Sequence, residues 1–456
     1  MRNFRLPKLL INFILFAFVV GFSGCGESGF DSLRRLYGED ANYYIGLRKK
    51  AEGEEKAARQ LFLRCLKKGS YYAALRSAEE LVQLGTVQER LSACEKLLAK
   101  YGDEDAVLIA LGAYENAGEY SKILTLTESI DMTSCKNDIA RIRLGALFKR
   151  NNRQFEDEAY AWYTSRPMTL SMNRLYQETV TESLQSAKSK IINFRIDVYN
   201  ANYNSAYERF SAIRETVIKN GMLPLTAQIV SDMGKACLYG SSSYIKNAKI
   251  FTEIAAKEKN DKDIVYNAYF YAGRLYDKAD SDYAAAESCF VRAMNTVQSG
   301  IRYDNALWYL LNGSLRLSVD TAMGVFKTYR ANIDNPAYFD DFFELIVPLL
   351  LSQSRWSDFK KVYEAVDGYA SDVSVGRFAY LYGRLVQEGL IASADPRGEA
   401  ENAFRRVLSL NCDTYYKTLA AVKLGLDDET AKDAIRRTGI NKNFIKGEEV
   451  KRLLLG

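Results

Sequence analysis

"DSDYAAAESCFVRAM", residues 280–294, opens on a polar turn and sets an aromatic at Tyr283 with a small residue, Ala286, three positions on. An apolar stripe then continues through Cys289, Phe290 and Ala293 at helical spacing. The same design recurs in "KKGSYYAALRSAEEL" (67–81), "NAGEYSKILTLTESI" (116–130) and "SQSRWSDFKKVYEAV" (352–366), where the aromatic is Tyr71, Tyr120 and Trp356. Weaker copies place Phe155 in "NNRQFEDEAYAWY", Tyr203 in "NANYNSAYERF" and Tyr244 in "GSSSYIKNAKIF". Counted from Tyr71 the intervals are 49, 35, 48, 41, 39 and 73 residues, the last close to two units. A period of this size belongs to helix pairs stacked on one another. An aromatic heading the second helix of a pair wedges against the first helix, and the small residue lets the two backbones approach. A packing role therefore explains each of these side chains, and none of them is a functional candidate.

The rest of the chain agrees with that pattern. Six prolines occur in 456 residues, and short turns separate amphipathic stretches. No run keeps the period-two alternation of a sheet strand. The expected fold class is all-α, an α-solenoid of irregular helix pairs. Its fullest copy, running from Tyr269 to Ala293, resembles a tetratricopeptide repeat. Tyr269, Gly273 and Tyr276 fall on the first helix of that copy and Ala286, Phe290 and Ala293 on the second, with one extra residue in the turn. The expected organisation is a leader over 1–24, a tether over 25–45, a repeat superhelix over 46–410 and linker-like helices over 411–456.

The segment "DTYYKTLAAVKLGL" (413–426) resembles the stretch that follows the superhelical domain of soluble lytic transglycosylases, which cleave peptidoglycan. The resemblance implies that this chain supplies the superhelix and enters the linker, without the lysozyme-like catalytic domain. Enzymes of that family carry their acid in a Glu-Ser pair, with a glycine-rich motif downstream; the acid needs a raised pKa in a partly dry cleft. Glu-Ser pairs occur here at Glu27, Glu128, Glu182 and Glu287, but no such motif follows any of them. Glu128 and Glu287 are expected on solvent faces of second helices. No catalytic residue is assigned.

At the other end, Arg2, Arg5 and Lys8 precede an apolar core from Leu9 to Phe22, and Ser23 and Gly24 precede Cys25. Basic start, apolar core and small residues make a secretory signal. The core is shorter than the roughly 20 apolar residues a spanning helix needs. Phe22, Ser23, Gly24 and Cys25 resemble a bacterial lipoprotein cleavage site, with Phe22 where Leu is commoner. That resemblance implies acylation of Cys25. Each buried acyl methylene contributes about 0.8 kcal/mol, so several chains on one residue would anchor the protein to a membrane.

Removal of residues 1–24 takes the net charge from +5 to +2, which lacks the footprint of a nucleic-acid binder. The local basic groups Arg48, Lys49, Lys50 and Arg436, Arg437 are expected on solvated helix faces. Histidine is absent from the sequence, which excludes His-based triads and HExxH zinc sites. Cys65, Cys94, Cys135, Cys237, Cys289 and Cys412 form no CxxC pair and are expected as core thiols, with disulfides permitted after export. No metal or cofactor is expected. The 31 tyrosines serve mainly as packing, with one member of Tyr43/Tyr44, Tyr71/Tyr72 and Tyr415/Tyr416 expected buried and the other exposed. The terminal "GEEVKRLLLG" (447–456) is expected to fold back, or to mark a lost or separately encoded catalytic part. The expected function is a lipid-anchored, non-catalytic envelope scaffold that binds a protein partner or a glycan strand. Alternatives are an accessory subunit of a lytic transglycosylase and a surface adhesin for host glycans or matrix.

Overall fold

The computed structural model describes residues 27–179, 186–280 and 282–437. The leader, Cys25, Glu182 and the segment 447–456 lie outside the described residues. Every regular element among the described residues is helical. They divide into two compact units, one ending at Tyr199 and the other beginning at Asn200. The expected boundary at 45/46 falls inside a helix, whereas 410/411 falls in a turn.

The first unit contains α1 (Glu27–Tyr37), α2 (Ala41–Ala51), α3 (Glu55–Lys68), α4 (Tyr71–Leu84), α5 (Val87–Lys100), α6 (Glu104–Ala117), α7 (Tyr120–Leu126), α8 (Asn137–Lys149), α9 (Phe155–Ser165), α10 (Leu170–Thr179) and α11 (Ala187–Tyr199). Three successive apolar clusters run along it. One is built on Phe62, Leu81 and Leu97, the next on Leu111 and Ile123, and the third on Trp162, Tyr163 and Leu175. Each cluster is filled by neighbouring helices only, as expected of a stacked array.

The second unit contains α12 (Tyr203–Ile213), which continues into a π-helical turn at Arg214–Lys219, then α13 (Ala227–Gly240), α14 (Tyr244–Lys257), α15 (Lys262–Ala279), α16 (Tyr283–Val297), α17 (Ile301–Leu317), α18 (Val319–Tyr329), α19 (Asp340–Ser352), α20 (Trp356–Val366), α21 (Asp372–Gln387), α22 (Pro396–Ser409), α23 (Thr414–Lys423) and α24 (Asp428–Arg437). The array is thus an all-α solenoid of consecutive helix pairs.

All seven repeated aromatics, Tyr71, Tyr120, Phe155, Tyr203, Tyr244, Tyr283 and Trp356, are the first residue of a helix. Before two of them, Tyr120 and Trp356, the preceding turn closes in the same way. After α6, Gly118 takes a left-handed φ of 71°, and the Glu119 N–H reaches back to the Tyr114 carbonyl at 2.9 Å. After α19, Ser354 takes a φ of 54°, and the Arg355 N–H reaches the Leu350 carbonyl at 2.9 Å. This closure satisfies the orphan carbonyls of the first helix and aims the chain into the second. In both turns the aromatic comes two residues after the left-handed residue.

The wedge works differently from expectation. The seven aromatics are half-buried or exposed, and at six of them the depth of the interface belongs to the residue three positions on: Ala74, Ile123, Ala206, Asn247, Ala286 and Phe359 are buried, whereas Glu158, three after Phe155, is half-buried. Phe155 does pack on the preceding helix, its ring 5.5 Å from that of Phe148 in α8. Others reach forward. Tyr203 lies 4.9 Å from Tyr239 of α13, and the Tyr283 hydroxyl bonds to that of Ser314 in α17 at 2.6 Å. A helix-leading aromatic therefore joins one pair to the next as well as closing its own.

A second pattern recurs on α3 and on five of the second helices. A small residue followed four positions later by a ring recurs as Ala58/Phe62, Ala206/Phe210, Asn247/Phe251, Ala286/Phe290, Ala322/Phe326 and Ala400/Phe404, and all twelve side chains are buried. It includes α18 and α22, which start on Val319 and Pro396 and so escaped the aromatic pattern. The 73-residue gap between Tyr283 and Trp356 holds the extra pair α17–α18, as its length implies. Facing these rings are glycines. An added Cβ would lie 2.5 Å from Phe62 at Gly46, 2.8 Å from Phe290 at Gly273 and 2.7 Å from Phe404 at Gly383.

Candidate binding surface

The first helices of the second unit carry a row of half-exposed rings interleaved with cations. Tyr239 of α13, whose ring meets Tyr203, accepts a hydrogen bond at its hydroxyl from Arg274 Nη2 of α15 at 3.1 Å. The Arg274 guanidinium lies 4.5 Å over the ring of Tyr309 in α17 and 5.8 Å from Phe270. One turn on, Lys278 sits 5.3 Å from both the Tyr239 and Tyr244 rings, and its ammonium donates to the Leu238 carbonyl at 2.8 Å. Cation–ring contacts of this kind contribute about 0.5–1 kcal/mol at exposed sites. Burial, opposed by the Arg274 charge, pushes the Tyr309 phenol above its ordinary pKa.

Trp308 packs edge-on against Tyr309 at 5.0 Å, and its indole N–H donates to Asp341 Oδ1 at 3.0 Å. In α21, Arg377 pairs with Glu344 at 2.7 Å, and Tyr380 lies 5.7 Å from Tyr416, which in turn meets Tyr415 at 5.2 Å. Tyr239 and Tyr415 expose 49% and 67% of their surface, so both side chains are partly open to solvent. Helical geometry sets the order: residues four apart on one helix share a face, and stacking the pairs aligns those faces.

No protein-family model matches the chain, and no curated protein matches it. The surface therefore has to be read from its own chemistry.

Of the Glu-Ser acids, Glu128 stands exposed in the turn after α7 rather than on a second helix, because α7 ends at Leu126. Glu287 is half-buried on α16, and Glu27 lies on α1. The six described cysteines are unpaired; Cys65, Cys94, Cys237 and Cys289 are buried and Cys135 and Cys412 half-buried. Burial raises the thiol pKa at Cys94 to about 12 and at Cys289 to about 11. Among the described residues, no group of three or more Cys, Asp or Glu is placed to hold a metal ion, and no helix is long and apolar enough to cross a membrane.

The basic run on α2 meets acids. Arg48 pairs with Glu52 at 2.9 Å, Lys49 with Glu54 at 2.9 Å and Lys50 with Glu80 at 2.5 Å. The tyrosine doublets depart from expectation, since both members of Tyr43/Tyr44 are half-buried, both of Tyr71/Tyr72 exposed, and Tyr415/Tyr416 are exposed and half-buried. Adjacent positions on a helix point only about 100° apart, so one does not bury the other's opposite. The cation–ring row itself escaped sequence reasoning. Its signal was present as Arg or Lys at helical spacing from Tyr on successive first helices.

Proposed function

We propose that this chain is an exported, non-catalytic binding scaffold of the cell envelope, anchored through an acylated Cys25. Its ligand is a glycan strand or a protein partner, held along the row from Tyr203 to Tyr415. The observation that supports this reading is Arg274, fixed between Tyr239 and Tyr309 with the Tyr239 side chain itself about half exposed. Flat rings cover the C–H faces of sugars, and fixed cations beside them favour strands that also carry carboxylates, such as peptidoglycan. The resemblance of 413–426 to the linker of lytic transglycosylases points to the same substrate class.

Co-sedimentation of the full chain with purified cell wall tests the reading. The chain is expected to pellet, and Tyr239→Ala combined with Arg274→Ala is expected to lower the bound fraction. Failure to pellet, with capture of an envelope protein that depends on the same two residues, would assign the surface to a protein partner. Zymography on the same material has to stay blank, since lysis by this chain alone ends the non-catalytic reading. Fractionation of Cys25→Ser examines the anchor, and protease treatment of intact cells separates periplasmic placement from display as an adhesin.

A further inference from the structure

A second place in the same unit has a different chemistry. The C-terminal end of α16, the start of α17 and the end of α18 enclose a cleft of about 610 Å³ lined by Met294, Asn295, Gln298, Tyr303, Thr328, Tyr329 and Asn332. Met294 and Tyr303 are buried and form its floor; Tyr329 is half-buried, and the amides and the threonine are exposed at its rim. No charged side chain lines it. Other clefts of comparable size, at Lys257–Asp263 and around Gly53–Gln60, are lined by lysines and acids on turns.

The cleft is held in shape. The Tyr303 hydroxyl donates to the Tyr329 carbonyl at 2.9 Å. Next to it, buried Asp304 accepts the Asp334 and Asn335 N–H groups at 3.1 and 2.8 Å, which pins the turn beyond Asn332. Gln298 occupies a φ of +64°, a region in which a side-chain-bearing residue is strained. Its side-chain amide and that of Asn295 make no hydrogen bond with the described residues. Positive φ also occurs in the helix-ending turns at Asn151, Ala201, Asp280 and Ser354, so the angle marks a fixed turn that holds the Gln298 amide at the rim.

Neutral amides and hydroxyls around tyrosine rings suit an uncharged sugar ring, whose hydroxyl or acetamido groups exchange hydrogen bonds with the rim while its C–H face lies on a ring. We propose that this cleft is a subsite for one neutral sugar residue, such as an N-acetylated hexosamine, separate from the cation–ring row. The proposal rests on the glycan form of the function proposed above.

Titration calorimetry of the full chain with the N-acetylglucosamine trimer tests it, with a hexuronic acid oligomer as comparison. The neutral trimer is expected to bind in a way that depends on Gln298 and Asn295, and any binding of the acidic oligomer, at the cation–ring row, is expected to be indifferent to both. Gln298→Gly removes the amide and the strain together, so it is expected to raise the thermal midpoint by about 2 °C while weakening trimer binding about three- to ten-fold. Asn295→Ala is expected to weaken it similarly. No trimer binding, or binding that ignores Gln298 and Asn295, overturns the subsite. Either result leaves the row to be judged by cell-wall co-sedimentation of its own variants.

Discussion

Gly273 of α15 presents its bare α-carbon to the ring of Phe290 in α16, so closely that a Cβ would lie 2.8 Å from two ring carbons. Both residues are buried, and a real Cβ does not sit that near a ring. The contact fixes how near the two helices pack.

Gly273→Ala is therefore expected to destabilise the protein by about 1–3 kcal/mol, even though alanine is the better helix former by about 1 kcal/mol. Gly324, in α18, has open space where its Cβ would point. There the same substitution is expected to stabilise by about 0.5–1 kcal/mol. Urea unfolding of the two variants checks the opposite signs, and a loss at both positions would refute the packing argument.

Arg143 of α8 is buried and bonds to both Glu158 oxygens, at 2.6 and 2.7 Å, and to the Thr127 carbonyl at 3.0 Å. Glu158→Ala leaves that cation without its counter-charge and is expected to cost about 3 kcal/mol. Arg143→Met combined with Glu158→Leu is expected to recover most of the loss. A double-mutant cycle in denaturant measures the coupling, which should exceed about 1 kcal/mol.

Glu399 of α22 accepts hydrogen bonds from Ser393 and Tyr382 and pairs with Lys360 at 3.0 Å, which holds its carboxyl down at about 2. A depressed carboxylate pKa adds stability that is complete above the ordinary value near 4.5 and fades as pH falls toward 2. The group is partly solvated, so the contribution is about 1 kcal/mol. Thermal midpoints of wild type and Glu399→Gln are expected to differ at pH 7 and to converge near pH 2.

Cys94 and Cys237 are both fully buried, one in each compact unit. Alkylation of either requires opening of its own surroundings, and burial also suppresses the thiolate. Pulsed alkylation across a urea series, read by mass spectrometry, is expected to give each thiol the midpoint of its own unit. Coincident urea midpoints for the two thiols would mean that the units unfold as one.

The fold was legible because its period is written in residues that recur in phase. Seven aromatics marked seven helix starts, each following the polar turn that separates its helix from the one before. The pair α21–α22 was missed because Pro396 begins its second helix, and α17–α18 showed only as a double-length interval because Val319 begins its second helix, although Ala322/Phe326 and Ala400/Phe404 carried the signal four residues apart. The candidate surface was less legible. Tyr239, Arg274 and Tyr309 stand 35 residues apart, twice over, and only stacking shows that one guanidinium serves two rings. The neutral cleft depends on a backbone angle at Gln298, which side-chain pattern does not encode.

Side-chain links in the second unit span about one period: Arg302 to Asp263, Arg316 to Asp277 and Arg406 to Asp367 are each 39 residues apart. A segment that contacts only its immediate neighbours can be duplicated or excised whole, and the severed faces find an equivalent surface to rejoin. The gene for such a protein can change its reach in steps of one helix pair, keeping its joints while its length drifts.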